Sequence, residues 1–425
     1  MNEAKSRGKI IVFGIVFWYP LAGVTYQFLH YLLGLRRLGY DVYYIEDSGR
    51  WVYDPAINDM TPDASRNIQL VAPIFEKYGF GGRWAFRGYY PDGECYGMSE
   101  SEILSLYREA DAFLNVTGAQ EIRDEHLACP RRIYVESDPF TSQVGVALGN
   151  EKTIATLAAH DMHFSFGENL HAQDCSVPIE RFQWLPTRQP VVMDLWDPDN
   201  ESSSNPAYTT ITTWHNEGKD IEYQGETYYW TKDREFMKVI DLPSCCQTPL
   251  ELALGVEEEV SSMLTKHGWL LVNSVDISRD FDSYRKYIQQ SRGEFTVARD
   301  QYVRPNTGWF SDRSACYLAA GRPVIIWEIA QMWPGTPIEY TAKSGNTTIV
   351  AYHQHAMILT GYSETSVQVV DPGSGSMKYF SISSFLTSWA VLGNRAVLAG
   401  EPEPTPTPTN TPTPTQTPTP TPSPT

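Results

Sequence analysis

Nowhere in this chain of 425 residues is there a block of Lys or Arg. The formal charge is −18, from 33 basic and 51 acidic residues. Nucleic acids and anionic membranes are held by clustered cations, so neither is expected as the main partner. A long apolar run is missing too, and with it any integral membrane segment. The nearest approach is Ile10–Trp18, which follows Lys5, Arg7 and Lys9 in the manner of a signal peptide. It passes directly into Tyr19-Pro20-Leu21-Ala22-Gly23 and an amphipathic segment, and so reads as a first strand. Cysteine is scarce. Six are scattered, and the neighbours Cys245 and Cys246 are poorly placed to pair with each other, so no disulfide framework exists and a reducing, cytoplasmic setting is favoured. His160, His163 and His171 lack the spacing of metal ligands, and no metal or other required cofactor is expected. The sequon Asn115-Val116-Thr117 falls in a predicted buried strand and is discounted.

What is present is apolar material for two cored domains, at 42% hydrophobic residues. Lys9–Phe17 reads as a buried strand, Pro20–Gly23 as a turn, Thr25–Leu38 as a helix closed by Gly39, and Asp41–Ile45 as a second strand. That βαβ opening begins a doubly wound α/β domain. Further strands are predicted at Ala112–Val116, Arg132–Glu136 and Met162–Phe166. In open parallel sheets ligands gather beyond the carboxyl ends of strands, which makes Glu136, Asp138, Glu168 and Asn169 cleft candidates. Asp138 is a candidate base toward an acceptor; residues of this kind also simply cap the next helix. Pro186–Trp196 connects to a second sheet, with strands predicted at Tyr208–Thr213, Leu250–Leu254, Trp269–Val272 and Gly293–Ala298.

The stretch Gly308–Trp327, GWFSDRSACYLAAGRPVIIW, reads as a short helix feeding a strand. Its first turn, Ser311-Asp312-Arg313, offers free backbone N–H groups beside a guanidinium, a place suited to a diphosphate. This stretch resembles the nucleotide-sugar region of bacterial glycosyltransferases of GT-B fold, in which R-x-x-E-A-x-A-x-G-x-P precedes the sixth strand. Arg313, Leu318, Ala319, Gly321 and Pro323 match, whereas Cys316 stands where the family has its ribose-gripping acid. The N-terminal VFWYPLAGVTYQFLHYLLGLRRLGYDVYYIEDSGRWVYDP resembles the same family. The resemblance implies two Rossmann-like domains, a nucleotide-sugar donor and an unknown acceptor in the cleft between them, and no obligatory metal. It further implies that Gly23, Trp214, Arg292, Glu294, Ser311, Asp312 and Arg313 face the donor.

Beyond Arg322 the pattern changes to short strands with Gly and Ser turns, then a helix. HAMILTGY, VVDP and SFLTSWAVLGNRAV resemble the C-terminal half of the papain-like bacteriocin-processing cysteine peptidases. By that resemblance His355 is a general base and Asp371 its orienter. The nucleophile half of such a peptidase is missing: Cys245 and Cys246 lie in glycosyltransferase-like sequence with Gln247 behind them, and Cys316 is too close to His355. The chain therefore reads as a hybrid joined at Gly321–Ile326. Its parts are an N-terminal Rossmann-like domain over 1–190, an incomplete second one over 191–326, a peptidase-like α+β half over 322–398 and a Pro-Thr tail over 399–425. The tail is expected to be disordered and leaves export open. The half-domain must bury apolar surface, so its strands are expected to extend or cover the truncated second sheet. A non-catalytic binding protein is the third reading, beside transferase and peptidase.

Overall fold

The computed structural model describes residues 6–88, 93–172, 174–197, 204–245, 248–329, 335–341, 347–350, 354–371 and 376–391. The tail and the pair Cys246-Gln247 lie outside the described residues.

Two eight-stranded sheets organise the chain. In space, the first runs Trp184–Pro186, Met162–Ser165, Arg132–Glu136, Ala112–Val116, Lys9–Phe13, Asp41–Glu46, Trp84–Arg87 and Cys95–Gly97. All pairings are parallel except the last, Cys95–Gly97 on Trp84–Arg87. The central strand, KIIVF, is buried along almost its whole length, as a strand covered on both faces must be. Chain order reverses between Lys9–Phe13 and Ala112–Val116, and their carboxyl ends open a crevice there.

The first strand stops at Phe13, earlier than its apolar run, because side chains claim the next backbone donors. Val16 N–H donates to the Tyr44 hydroxyl at 2.8 Å, and Phe17 and Trp18 N–H donate to the two Glu46 carboxyl oxygens at 2.6 and 2.9 Å. Gly14 is required at the bend, since a Cβ there would stand 2.5 Å from the Phe28 ring. The following helix spans Ala22–Arg37, so Gly23 lies in its first turn rather than in a preceding loop.

The second sheet runs Leu270–Val272, Leu250–Ala253, Tyr208–Ile211, Gly293–Glu294, Val324–Ile329, Gln354–Tyr362, Ser366–Asp371 and Ser376–Ser381. Its first five strands are parallel and its last three antiparallel. Val324–Ile329 is the pivot. It pairs in parallel with the strand before it through Glu294↔Val324, and antiparallel with the strand after it from Val324↔Leu359 to Ile329↔Gln354. The helix Ile382–Val391 closes over this extension, burying Phe385, Leu386 and Trp389 with Met357, Leu359, Val367 and Val369. The half-domain thus completes the second sheet, and the fold is α/β with two Rossmann-like sheets, the second continued by an α+β unit.

The elements around the first sheet meet those of the second through Tyr26, whose ring stacks on Phe281 at 3.8 Å, and through the Arg37–Asp194 and Lys77–Asp282 ion pairs. Limited proteolysis should therefore leave residues beyond Ile329 attached to the body under native conditions. Early release of that segment as a separate fragment, followed by mass spectrometry, is the contrary outcome.

Candidate functional site

In the second sheet the order reverses between Tyr208–Ile211 and Gly293–Glu294, so a ligand crevice is expected beyond Ile211 and Glu294. Arg313, in the first turn of the helix Asp312–Ala319, reaches into it. Its Nε donates to Glu294 Oε1 at 2.6 Å, Nη1 to the Ile211 carbonyl at 2.6 Å and Nη2 to Thr296 Oγ1 at 2.7 Å. A guanidinium carries five N–H groups, so two remain after these bonds.

Lys232 stands beside it, its Nζ donating to Thr212 Oγ1 at 3.2 Å. The loop that brings it there is fastened by the Trp214 carbonyl, which accepts from the backbone N–H groups of Lys232 and Asp233 at 3.2 and 2.9 Å. Burial drives the Lys232 ammonium well below its ordinary pKa, and the Arg313 and Arg299 charges add to this. The Arg299 guanidinium carbon lies 3.7 Å from the Trp230 ring centre, and its Nη1 donates to the Tyr302 hydroxyl at 2.7 Å.

The first domain contributes Asp138, just past the strand Arg132–Glu136. Its Oδ1 accepts from the Tyr302 hydroxyl and, at 3.4 Å, from Arg299 Nη1, while Oδ2 accepts from Ser137 Oγ at 2.8 Å. Trp309 Nε1 donates to the Ser137 carbonyl at 2.8 Å, closing the same seam. Phe140 follows with φ of +92°, a strained value for a non-glycine residue, and is fully buried. Asp312 has its pKa pushed up to about 7, by burial first and the Asp138 charge second. Its Oδ1 and the Ser314 hydroxyl are buried without a hydrogen-bond partner among the described residues. Three basic side chains and three carboxyl groups, drawn from both domains, therefore converge on one seam.

The residues singled out in the sequence divide between this seam and the scaffold. Asp138, Asp312, Arg313 and Glu294 are in it. Gly23 shares a narrow space with Asp312 and Arg313, but a Cβ at Gly23 would stand 3.1 Å from the Tyr284 hydroxyl, which fills its face. Ser311 is the buried N-cap of its helix and makes no side-chain capping bond. The Trp214 indole is 7% exposed and stacks on Phe236 at 5.5 Å, a core position. Arg292 precedes its strand at the end away from the crevice, with its guanidinium 5.7 Å from the Tyr208 ring centre. Glu136 is buried, accepting from Gln143 and Ser165, and Glu168 is paired with Arg188. The Asn169 side chain donates to the Asn306 carbonyl at 2.8 Å. Lys232 and Arg299 are the site residues that the sequence reading missed. Neither lies in a periodic or motif-bearing stretch.

Among the described residues, one group is close enough to share a cation: Asp47, Glu125 and His126. Arg87 already grips both Asp47 oxygens at 2.7 Å, and Arg123 adds a second guanidinium. This carboxylate is neutralised internally and held down to a pKa of about 2; burial acts upward on it, and the His126, Arg87 and Arg123 contacts outweigh that.

In the peptidase-like half, His355 Nε2 is 2.8 Å from Asp371 Oδ1, and Lys378 Nζ holds the other carboxylate oxygen. Among the described residues no thiol contacts His355. The Cys316 sulfur is 3.8 Å from His30 Nε2, and burial pushes its thiol far above the usual range. Such a thiol is inert. The Cys245 side chain lies outside the description.

Residues 272–397 match the Peptidase_C39 like family, beginning upstream of the junction at Gly321. No curated protein matches the chain. Among solved structures, a protein described as a C39-like peptidase from Bacillus anthracis is 24% identical over 20% of this chain and 45% of its own, with a TM-score of 0.17. This chain thus spans less than half of that protein. An alpha-glucosyltransferase in complex with UDP-glucose and DNA containing an abasic site is 10% identical over 74% of this chain and 78% of its own, with a TM-score of 0.40. MnaA of S. aureus, in a structure with UDP, is 13% identical over 71% and 77%, with a TM-score of 0.34. Among the described residues, no helix is long and apolar enough to cross a membrane.

Proposed function

We propose that the chain binds a nucleotide-sugar in the seam between its two Rossmann-like domains, with the diphosphate against Lys232, Arg299 and Arg313. The observation that carries this reading is the convergence of those three basic side chains at the switch point of the second sheet. Two of them have N–H groups left over from their protein contacts, and guanidinium pairs suit phosphate oxygens. Asp138 is the group from the opposite domain placed to accept a proton from an acceptor hydroxyl. In such a site the cations stabilise the departing diphosphate, which is the larger part of transfer chemistry. Whether transfer follows binding depends on the acceptor side, so the binding of the donor is the first claim.

The test is calorimetric titration with UDP, GDP and their sugars. Binding is expected, and Arg299→Ala should weaken it by roughly 10- to 100-fold, the equivalent of one charge-assisted bond of about 1.5–3 kcal/mol. Absence of heat with every nucleotide, or an unchanged affinity in Arg299→Ala, defeats the reading.

A second reading is favoured by the 2.8 Å His355–Asp371 pair, the base and orienter of a cysteine peptidase. A nucleophile within reach of that imidazole is needed as well. Covalent labelling of Cys245 or Cys246 by a papain-type inhibitor, lost in His355→Ala, would establish it.

A further inference from the structure

Lys232 is an unusual residue to find in the seam. It is 8% exposed, and the hydrogen bond described for its Nζ goes to a neutral oxygen, Thr212 Oγ1 at 3.2 Å. Among the described residues no carboxylate forms an ion pair with it. The charged groups around it come from every neighbouring element. Arg313 belongs to the helix Asp312–Ala319, Arg299 to the turn before Asp300, Glu294 to the strand at the crevice and Asp138 to the opposite domain. Both carboxylates are committed elsewhere: Glu294 to Arg313 at 2.6 Å, and Asp138 to Tyr302 and Arg299. Among the described residues Lys232 thus faces two guanidiniums, with both neighbouring carboxylates already engaged.

We propose that Lys232 is an uncharged amine in the free protein and takes up a proton together with a bound diphosphate, so that anion binding and proton uptake are one event. This rests on the diphosphate reading of the seam. The balance is simple: the amine, one proton and the anion give an ammonium–anion pair, and no covalent bond to the ligand forms. The physical cause is a reversal of the local field. With the seam open, desolvation and two like charges disfavour the ammonium. A diphosphate there supplies the missing counter-charge and makes the ammonium the favoured form. Arginine at 232 would remain charged throughout, since a guanidinium does not deprotonate in proteins. The consequence for function is that donor affinity falls as pH rises, because at high pH the proton must be drawn from a more dilute pool.

The experiment is isothermal titration of the full chain with inorganic pyrophosphate and with UDP near pH 8, in two buffers of different ionisation heat. Uptake of about one proton per ligand is expected in the wild type. Lys232→Arg should bind with no such uptake, and Lys232→Met should bind weakly and also without it. Asp312, the other group near neutrality, is controlled by Asp312→Asn, in which the uptake should persist. Binding with no proton uptake in the wild type, or uptake retained in Lys232→Arg or lost in Asp312→Asn, overturns the proposal and leaves the diphosphate reading standing. No binding of either ligand overturns both.

Discussion

Replacing Arg313 with alanine is expected to lower the unfolding free energy by about 3–5 kcal/mol, the cost of leaving a buried partner charge uncompensated. The partner is Glu294, which is fully buried and whose Oε1 rests on Arg313 Nε at 2.6 Å. Its Oε2 has no hydrogen-bond partner among the described residues, so nothing stands ready to replace the guanidinium. The same substitution releases the Ile211 carbonyl, at the end of one strand that flanks the crevice, and Thr296, just beyond the other. Lysine would not serve, since one ammonium cannot span three acceptors arranged around a planar fork. The double replacement Glu294→Gln with Arg313→Met should recover at least half of the loss, because removing both charges of a buried pair costs far less than removing one. Urea unfolding of the three variants measures this. A single mutant as stable as the wild type would show that the pair is solvated, and with it the whole account of the crevice would change.

On the proposed reading Arg313 has two duties, which the ligand experiments keep apart. It braces the crevice through three N–H groups, and the other two are left for the ligand. Arg299 has less scaffold to hold, being bonded to Tyr302 and Asp138 and stacked on Trp230. For this reason Arg299→Ala is the cleaner test of binding, and Arg313→Ala the cleaner test of architecture.

The parts of this arrangement differ in how openly the amino-acid order announces them. Ala112–Val116 and Arg132–Glu136 are apolar runs bounded by polar turns, and the strands occupy those very residues. Arg313 was legible because a helix start is a local event, written in Ser311-Asp312 and closed at Gly321, whose φ is +70°. Lys232 and Arg299 were not, because their positions depend on contacts with remote residues: the Trp214 carbonyl for one, Trp230 and Asp138 for the other. Trp214 itself was expected at a ligand and lies in the core on Phe236, the commoner fate of a large ring. The strand at Gly293 was expected to reach Ala298 and is only two residues long. Thr296 beyond it turns to Arg313 instead of continuing the ladder. The pivot strand Val324–Ile329 shows the other side of the matter. Its apolar run says that it is central, and only the sheet itself shows that one neighbour is parallel and the next antiparallel.

Glu46 should make stability depend on pH in a way that Glu46→Gln removes. The carboxyl is fully buried, and burial raises its pKa to about 8 against the hydrogen bonds from Tyr44, Phe17 and Trp18 that favour its ionised form. The folded chain therefore holds this proton where the unfolded chain, with an ordinary glutamate, has released it. In that window the native state binds more protons, and its stability falls as pH rises. The fall begins near the ordinary glutamate pKa and ends near pH 8. Its slope approaches about 1.4 kcal/mol per pH unit, and the total is on the order of 5 kcal/mol. Other groups titrate in the same range with mixed signs. Asp312 and Glu136, both raised to about 7, act in the same direction, whereas the buried histidines His30 and His160, lowered to about 3 and about 4, act oppositely below the ordinary histidine range. The quantity to measure is thus the difference between Glu46→Gln and wild type in urea unfolding from pH 5 to 8.5. Relative to wild type, the glutamine variant should gain with each pH unit and level off near pH 8. A difference that stays constant would mean that Glu46 is ionised in the folded chain. The bend at Val16–Trp18, which shapes the crevice of the first sheet, would then be held by a carboxylate rather than by a carboxylic acid.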